Sequence, residues 1–395
     1  MDEIFKQALP VLQKLTAAGF EAYFVGGSVR DFLIGRKIAD VDIATSAFPE
    51  EVKEIFPKTY DTGIEHGTVT VRENGTFYEI TTFRTEGTYE DFRRPKEVTF
   101  IRSLTEDLRR RDFTMNAIAM DAAGRFIDPF RGKEAITAKQ ICAVGDPHER
   151  FHEDALRMMR AIRFVSQLDF QLDQATRQAL QENKALLAHT AVERKTTEWV
   201  KLLQGKAVNK ALKLLVDSGV EVYLPGLQGK QEALLQLATW HFSKLQDELA
   251  TWLLLAAAVK PESASQFLRA WKLSNKTIQV VSKAYERLMD YPEEWTATDL
   301  YYAGEQVLCL VGSAFEIMYA KDGVVNELLK QYGELPIHSR DELMADGRDL
   351  MAWTGKAPGK WLKITIEKLE KEIVQGRLSN TSDAIKRWVV DEESR

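Results

Sequence analysis

Cysteine is scarce in this sequence, and long apolar runs are missing from it. Only Cys142 and Cys309 occur among 395 residues, which excludes a disulfide framework and favours a reduced, cytoplasmic protein. The longest apolar run, residues 252–259, is too short to span a bilayer and predicts a buried helix instead. The first residues also lack the basic and then apolar pattern of a secretion signal. We therefore expect no membrane association.

An overall excess of basic residues is missing as well. The formal net charge is −6, which argues against a protein that binds nucleic acid over its whole surface. The charge is uneven, however, because residues 92–113 contain seven lysines and arginines against four acids. Any contact with RNA is therefore expected to be local.

Residues 24–33 form a pattern that suits phosphate binding. They predict a buried strand, a glycine turn and the start of a helix. Gly26 and Gly27 allow the backbone to turn tightly because they lack a Cβ. Ser28 then opens the helix, and its free N–H groups, together with Arg30, suit a phosphate. Gly27 and Arg30 are therefore candidate nucleotide-binding residues.

Two aspartates follow on the next predicted strand. Asp40 and Asp42 are two residues apart, so their side chains project from the same face of a strand. Close carboxylates repel each other unless a cation lies between them, and hard oxygen ligands of this kind suit Mg²⁺. Glu79, on a later predicted strand, is a candidate third carboxylate, although a solvent-facing glutamate explains it equally well. A tight turn and an edge strand with acids facing water explain each half alone, but both halves within twenty residues favour nucleotidyl transfer.

The N-terminal third carries strand signals, and the remainder is helical. We predict helices within 1–19 and from Pro49, strands at 67–72 and 77–83, and a hairpin within 117–127. From Lys133 onward the strand signals nearly vanish. This order predicts a mixed α/β head followed by a long helical part.

Three segments of the head have further expected roles. The polar connector 84–95 lacks apolar periodicity, which predicts a mobile and functional loop. Ser103 and Glu106 form a capping box that opens a helix predicted over 104–116. Residues 128–132 (Asp-Pro-Phe-Arg-Gly) are typical of a hinge.

Residues 151–165 predict one amphipathic helix with a charged half. That half holds one acid and three arginines, Asp154, Arg157, Arg160 and Arg163. A solvated surface helix, with Arg157 paired to Glu153 and Asp154, explains the pattern without any ligand.

The alternative is that this helix selects a base. The Asp154 carboxylate accepts from the exocyclic amino group of cytosine or adenine, while Arg157 donates to the adjacent ring nitrogen. Guanine and uracil present a carbonyl beside a ring N–H, which opposes both side chains. A good side-chain pair is worth about 1–3 kcal/mol of discrimination, so protein alone could choose C and A without a nucleic-acid template. Arg160 and Arg163 would suit the triphosphate.

A zinc-protease pattern overlaps the same region. His148-Glu149-x-x-His152 fits the spacing of two imidazole ligands and a general base. It lies at a helix start, and no further histidine follows until His189. A zinc hydrolase is therefore a minor alternative.

Together these motifs resemble the class II tRNA nucleotidyltransferases, specifically the bacterial CCA-adding enzymes, over most of the chain. The glycine turn with Asp40 and Asp42 is similar to the family's metal and triphosphate motif. Residues 110–117 (Arg-Arg-Asp-Phe-Thr-x-Asn-Ala) resemble its ribose motif, which implies that Arg111 and Asp112 contact the nucleotide. Residues 128–132 resemble its head–neck hinge, and residues 153–157 (Glu-Asp-x-x-Arg) its amino-acid template for base choice. A motif that buttresses the neck matches at Leu202, Leu203, Ala211, Leu215 and Gly219.

The resemblance implies a nucleotidyltransferase head with a mixed or antiparallel sheet, followed by an all-α neck, body and tail. We place the head at 1–140, the neck with its base-recognition helix at 141–228, the body at 229–300 and the tRNA-binding tail at 301–395. The implied reaction adds C, C and A from CTP and ATP to the 3′ end of tRNA, including damaged ends, with Mg²⁺ and release of pyrophosphate. The body and tail are expected to grip the tRNA acceptor arm, and a homodimer is an expected assembly.

Several alternatives remain open at this point. The family includes poly(A) polymerases and enzymes that add only CC or only A. The sequence lacks the basic termini and Arg-rich extension of the former, and connector 84–95 resembles the loop that CC-only enzymes shorten. No His-Asp dipeptide occurs, so an appended HD phosphohydrolase is not expected. A non-catalytic tRNA-binding protein is the alternative from another class, and the paired aspartates argue against it.

Overall fold

The computed structural model describes residues 2–86, 89–90, 94–95, 98–245, 247–292 and 294–393. The chain divides into two compact units, Met1–Ala238 and Thr239–Arg395. The finer division into head, neck, body and tail stays a prediction.

A seven-stranded sheet organises the start of the first unit. The strands of this unit are β1 (Ala22–Val25), β2 (Asp42–Thr45), β3 (Thr59–Gly63), β4 (Thr68–Glu73), β5 (Thr76–Thr82), β6 (Arg84–Glu86), β7 (Tyr89–Glu90), β8 (Arg94–Pro95), β9 (Val98–Phe100), β10 (Ala119–Met120), β11 (Phe126–Ile127), β12 (Gln140–Ile141) and β13 (Gln171–Leu172). The large sheet has the order β11-β10-β1-β2-β5-β4-β3. Its neighbouring strands are antiparallel except β2 and β5, which are parallel. The predicted mixed sheet is confirmed, as is the hairpin within 117–127, and the predicted strands at 67–72 and 77–83 pair as β4 and β5 around Asn74-Gly75.

Helices pack against this sheet, and the rest of the first unit is mainly helical. The helices of the first unit are α1 (Glu3–Ala17), α2 (Gly27–Leu33), α3 (Pro49–Ile55), α4 (Leu104–Arg109), α5 (Gly132–Thr137), α6 (Pro147–Glu153), α7 (Leu156–Leu168), α8 (Gln174–Asn183), α9 (Val192–Leu203), α10 (Val208–Ser218) and α11 (Gln231–Leu237). Helix α1 begins where the Asp2 carboxylate accepts from the Ile4 N–H, and it buries Phe5 and Leu12 against Ile43 and Ile80 of the sheet. A second apolar cluster joins Val25 and Ala44 of the sheet to Leu108 of α4.

Two predicted helices are shorter than the sequence pattern suggests. The helix predicted over 104–116 ends at Arg109. Beyond it the Thr114 N–H donates to the Cys142 carbonyl (2.9 Å), and the Val144 N–H donates to the Asp112 carbonyl (3.2 Å). This pairing buries Phe113 and takes the backbone out of the helix.

The helix predicted over 151–165 is interrupted at Asp154, one of the two predicted base readers. Helix α6 ends before Asp154, whose backbone is extended (φ −142°, ψ 101°), and α7 begins at Leu156. The Asp154 carboxylate accepts from the Leu156 N–H (3.1 Å), so it competes with a continuous helix for that donor. The prediction of one helix was therefore wrong, and the break sets the direction of the Asp154 side chain.

The connector predicted as a mobile loop contains short strand pairs. Strand β6 pairs with β9, and β7 pairs with β8, both antiparallel. Residues 87, 88 and 91–93 of this connector lie outside the described residues.

The second unit is helical. Its helices are α12 (Glu248–Val259), α13 (Ala264–Ala270), α14 (Asn275–Met289), α15 (Ala297–Ala303), α16 (Glu305–Tyr319), α17 (Val324–Gly333), α18 (Gly347–Thr354), α19 (Lys360–Val374) and α20 (Ser382–Glu393). Helix α12 is buried from Ala250 to Val259, which confirms the buried helix predicted there. Trp252 on α12 packs against Trp271, with ring centroids 5.2 Å apart. In the described part of the chain, no helix combines the length and apolarity needed to cross a membrane.

Candidate active site

One cleft of about 580 Å³ in the first unit contains most of the predicted site. Of the ten predicted residues, all but Asp40 line it: Gly27, Arg30, Asp42, Arg111, Asp112, Asp154, Arg157, Arg160 and Arg163. These residues come from separate strands, helices and turns, and the first and last are more than a hundred positions apart. The cleft is strongly polar, with arginine as its dominant side chain.

The carboxylates lie where β2 meets β5. Asp42 is the first residue of β2 and is in register with Glu79 of β5. Asp40 precedes the strand, so the prediction that both aspartates belong to one strand was wrong. Asp40, Asp42 and Glu79 nevertheless line a common second cavity of about 400 Å³, which shares Asp42 with the cleft.

The carboxylates influence one another electrostatically. Desolvation by the surrounding protein and the charges of Asp40 and Glu79 raise the pKa of Asp42, while the Arg111 guanidinium opposes the rise. Crowded carboxylates of this kind favour a bound cation.

The glycine turn brings the backbone close to the charged groups. Gly26 has a φ of +71°, and a Cβ there would lie 3.1 Å from Arg111 Nη1 and 3.5 Å from Asp42 Oδ2. Helix α2 begins at Gly27, one residue earlier than predicted. Arg30 is buried, and its Nη1 donates to Asn116 Oδ1 (2.7 Å). The turn therefore lies against the segment predicted to bind the ribose.

Asp112 joins that segment to α7. Its Oδ1 accepts from the Phe113 N–H (2.8 Å) and from Asn116 Nδ2 (3.0 Å), and its Oδ2 accepts from Arg160 Nε (2.8 Å) and Nη2 (2.6 Å). Burial opposes ionisation of this carboxyl, but the Arg160 charge and the Asn116 amide outweigh it and hold its pKa well below the ordinary value. Asp112 is therefore a buried, ionised carboxylate.

A second buried aspartate orients the neighbouring arginines. Asp107 Oδ1 accepts from Arg110 Nε (3.0 Å), and its Oδ2 accepts from Arg111 Nη2 (3.2 Å). Burial opposes ionisation here too, but the two guanidinium groups outweigh it and lower the pKa of Asp107. Asp107 thus anchors Arg111 at the cleft.

Both predicted base readers are held by other groups of the protein, and one of the two expected partners of Arg157 is among them. Arg157 donates to Glu153 Oε2 (2.5 Å) and to the carbonyls of Arg150 (3.2 Å) and Arg110 (2.9 Å). Asp154 is instead paired with Arg194 of α9, at 3.0 and 2.7 Å. Of the two partners predicted for Arg157 on a solvated helix, Glu153 is confirmed.

Three arginines of the cleft lie beside one aromatic ring. The guanidinium carbons of Arg163, Arg30 and Arg160 are 4.1, 5.2 and 5.6 Å from the centroid of the Phe164 ring. Arg163 Nε also lies 2.8 Å from Glu198 Oε2. Desolvation lowers the pKa of Arg163 to about 10, although the Glu198 charge opposes the change. Three cations thus converge on one wall of the cleft.

Other residues of the site were not predicted, among them Asp107, Asn116, Phe164, Arg194 and Glu198. Asn116 was part of a quoted motif, but no role was given to it. Arg194 and Glu198 are four residues apart on a helix that also buries Trp199. Arg194 is half-buried and Glu198 is buried, but their spacing is equally typical of a solvated helix face, so the sequence offered no signal for either residue.

The zinc-protease pattern does not form a metal site. His148 Nδ1 lies 2.9 Å from Asn183 Nδ2, and His152 Nδ1 lies 2.9 Å from the His148 carbonyl. Among the described residues, no group of three or more His, Cys, Asp or Glu is arranged to hold a metal ion.

A mixed-sheet head with clustered carboxylates beside an arginine-lined cleft places this protein among the nucleotidyltransferases. The family model of the poly A polymerase head domain matches residues 22–142. The probable RNA and SrmB-binding site of polymerase A matches residues 169–230, and the putative tRNA nucleotidyltransferase domain 2 matches residues 243–389.

Comparison with individual proteins narrows this class. The CCA-adding enzyme of Listeria innocua is 59% identical over 389 residues, which cover 98% of this chain and 99% of that protein. The crystal structure of the Bacillus stearothermophilus CCA-adding enzyme in complex with CTP is similar with a TM-score of 0.94 at 44% identity, covering 100% of this chain and 98% of that one. A tRNA nucleotidyltransferase complexed with a primer tRNA and an incoming ATP analog gives a TM-score of 0.60 at 25% identity, covering 82% and 98%. The chain belongs to the family of CCA-adding enzymes, which confirms the predicted family and the predicted enzyme class.

Proposed function

We propose that this protein completes the 3′ end of tRNA by adding C, C and A from CTP and ATP, with release of pyrophosphate, and repairs damaged ends in the same way. The observation that carries the proposal is that Asp42, Arg111, Asp154 and Arg157 line one cleft. A single incoming nucleotide can therefore meet the carboxylates with its α-phosphate and the base readers with its base.

Magnesium is part of the proposal, because the donor set fits it. Asp40 and Asp42 offer two oxygen ligands at a cavity that Glu79 also lines. Burial, with the charges of Asp40 and Glu79, raises the pKa of Asp42, and a bound cation would stabilise its ionised form. We assign the ion to Asp40 and Asp42. When bound, Mg²⁺ neutralises charge on the phosphate oxygens and makes the tRNA 3′-hydroxyl a better nucleophile.

The arginines and the ribose segment position the nucleotide. Arg30, Arg160 and Arg163 offer guanidinium groups to the triphosphate, and Gly27 lets the backbone approach it. Arg111 and Asp112 contact the ribose. Most of these side chains are already paired with other groups in the cleft. The nucleotide therefore replaces or shares existing hydrogen bonds, and the charged side chains are in position before it binds.

Base choice comes from two side chains held side by side. The Asp154 carboxylate accepts from the exocyclic amino group of cytosine or adenine, and Arg157 donates to the adjacent ring nitrogen. Guanine and uracil would leave both groups unpaired, which costs more than a missing neutral hydrogen bond. No nucleic-acid template is required.

The helical parts complete the assignment. The body and tail predicted at 229–300 and 301–395 bind the tRNA acceptor arm, and the neck predicted at 141–228 carries the base readers. A homodimer remains a prediction of the same resemblance. The scarcity of cysteine supports a cytoplasmic location.

One assay tests the reaction. A tRNA lacking its 3′ CCA is incubated with Mg²⁺ and CTP, ATP or both, and the products are separated at one-nucleotide resolution. We expect two added residues with CTP and three with both nucleotides. A long ladder of products with ATP alone would indicate a poly(A) polymerase. A stop after two added residues when both nucleotides are present would indicate a CC-adding enzyme. No extension under any condition would indicate a non-catalytic tRNA-binding protein.

The carboxylate assignment has its own test. Asp42→Asn removes one charged ligand, and we expect turnover to fall by about 10²- to 10³-fold or more, the scale for losing a group that stabilises transition-state charge. The matched control is Asp61→Asn, because Asp61 is an exposed strand aspartate that pairs with Lys53 away from the cleft. Unchanged turnover in Asp42→Asn, with normal tRNA binding, would contradict the metal assignment.

A further inference from the structure

We propose that Arg194 is a positioning residue for base selection, which holds the Asp154 carboxylate in the direction from which it meets the amino group of the incoming base. The inference rests on the function proposed above. It adds a residue from α9, outside the motifs that carry the family resemblance.

The contact between the two side chains is two-pronged. Arg194 Nη1 donates to Asp154 Oδ1 at 3.0 Å, and Nη2 donates to Oδ2 at 2.7 Å. The Arg194 side chain is 26% exposed and that of Asp154 is 17% exposed, so solvent screens the pair only in part. A planar guanidinium facing a planar carboxylate fixes orientation as well as distance, which a lysine cannot do.

Asp154 needs such support because of its place in the chain. It lies in the break between α6 and α7, with an extended backbone, so one hydrogen bond from the start of α7 is the support that these two helices give its carboxylate. Within the described part of the chain, its carboxylate also accepts from the Leu156 N–H, which reaches Oδ1 at 3.1 Å. A carboxylate has about four acceptor positions, so these three hydrogen bonds leave room for one from a base.

The neighbouring base reader is supported in an equivalent way. Arg157 is held by Glu153 and by two backbone carbonyls. Each reader thus has a partner of opposite charge, Glu153 for Arg157 and Arg194 for Asp154. Selection between bases that differ only in donor and acceptor positions requires both readers to keep their directions, since a carboxylate free to rotate could accept from other donors.

Helix α9 acts as the supporting element. Arg194 faces Asp154, and one turn later Glu198 lies 2.8 Å from Arg163. The charges of α9 are therefore complementary to those of the segment that it faces: Arg194 is opposite Asp154, and Glu198 is opposite Arg163. A helix that had only to pack would bury apolar side chains at these positions.

The test is nucleotide discrimination by the full-length enzyme. Arg194→Gln removes the two-pronged contact, and kcat/KM is measured for CTP, UTP, ATP and GTP on tRNA ends that need each nucleotide. We expect the CTP-to-UTP and ATP-to-GTP ratios to fall about tenfold, within the range of one side-chain pair. Arg177→Gln is the matched control, because Arg177 pairs with Asp217 on an exposed surface of the same unit, and both ratios should stay within twofold.

Two further variants separate positioning from a general structural role. Arg194→Lys keeps the charge without the fork and is expected to give an intermediate loss of discrimination with an unchanged melting temperature. It also replaces Arg194→Gln if that variant fails to fold. In an Asp154→Ala background, Arg194→Gln should change the ratios no further, because its effect acts through Asp154.

The outcomes distinguish this inference from the function it rests on. If Asp154→Ala lowers discrimination but both Arg194 variants slow all four nucleotides equally, Arg194 is structural and the inference is wrong. If Asp154→Ala itself leaves the ratios unchanged, the proposed reading of the base by Asp154 is wrong. The inference is supported if Arg194→Gln lowers discrimination in the parent enzyme and causes no further loss in the Asp154→Ala variant.

Discussion

Charged side chains in the cleft are paired with individual side chains of opposite charge. Asp112 is buried and accepts four hydrogen bonds, two of them from Arg160. Removing one partner of a buried ion pair leaves the other charged and poorly solvated, which costs more than the intact pair contributes. Residues proposed to bind the nucleotide thus also stabilise the fold.

We expect Asp112→Asn to lower the free energy of unfolding by about 1–3 kcal/mol. This is less than for a fully buried pair, because the Arg160 side chain is 33% exposed and also lies 3.9 Å from Glu198. Urea unfolding followed by circular dichroism measures the change. The control is Asp169→Asn, since Asp169 pairs with Lys210 at the surface with 42% of its side chain exposed, and a loss of at most about 1 kcal/mol is expected. Equal effects of the two substitutions would contradict the assignment of Asp112 as a buried pair.

The pH dependence of stability offers an independent check. The folded state lowers the pKa of Asp112 below its ordinary value of 3.8, so this residue contributes stability above that pH and loses it as the pH falls toward the folded value. The parent protein should therefore lose stability more steeply than Asp112→Asn when the pH falls below about 4. Urea midpoints between pH 3 and 7 measure both slopes, and parallel curves would contradict the expectation.

The sequence predicts single residues well where spacing alone decides. Asp42 and Arg157 could be found because each belongs to a short local pattern. Arg194 could not be paired with Asp154 from sequence, since the partners are forty positions apart and meet only because α9 packs on α7. The choice of ion-pair partner is a tertiary property.

At the scale of elements, the close approach of α7 and α9 sets the site. A Cβ at Gly205, just after α9, would lie 2.1 Å from Ser166 Oγ and 2.6 Å from the Ser166 carbonyl carbon of α7. Ser166 Oγ also donates to the Leu202 carbonyl at 2.6 Å. Gly205 therefore permits the packing distance that places Arg194 and Glu198 opposite their partners.

Gly205→Ala should force the two helices apart. We expect a loss of about 1–3 kcal/mol in the free energy of unfolding, the usual cost of overpacking, together with lower discrimination between CTP and UTP. Gly333→Ala is the control, because no atom lies within 4 Å of a Cβ at that helical position, and it should be neutral or slightly stabilising. Chemical denaturation and single-nucleotide addition measure the two effects, and a neutral Gly205→Ala would show that α7 and α9 tolerate a wider spacing.

Helix boundaries are where sequence reasoning failed. Residues 104–116 and 151–165 both have helical periodicity, yet the chain leaves the helix at Arg109 and breaks it at Asp154. In each case an aspartate side chain captures a nearby backbone N–H: Asp112 that of Phe113, and Asp154 that of Leu156. Whether the side chain wins this competition depends on contacts with distant residues that stabilise the break. Helical periodicity carries no information about those contacts.

At the scale of the whole molecule, the described site residues all belong to the unit Met1–Ala238. The sheet, the carboxylates, the arginines and helix α9 are contained in that unit. The second unit contributes a separate helical core around α12. Nucleotide selection and grip on the tRNA are therefore expected to be separable.

A fragment of residues 1–238 should consequently fold and bind CTP and ATP in the presence of Mg²⁺ with affinities close to those of the full chain. It should extend tRNA poorly, because the predicted body and tail that hold the acceptor arm are missing, so the loss should appear in KM for tRNA and not in KM for CTP. Calorimetry measures folding and nucleotide binding, and primer extension with increasing tRNA measures the rest. The fragment carrying Asp154→Ala is the control and should lose its preference for CTP over UTP. A fragment that folds but binds no nucleotide would show that the second unit takes part in forming the nucleotide site, and equal tRNA affinity of fragment and full chain would show that the grip lies in the first unit.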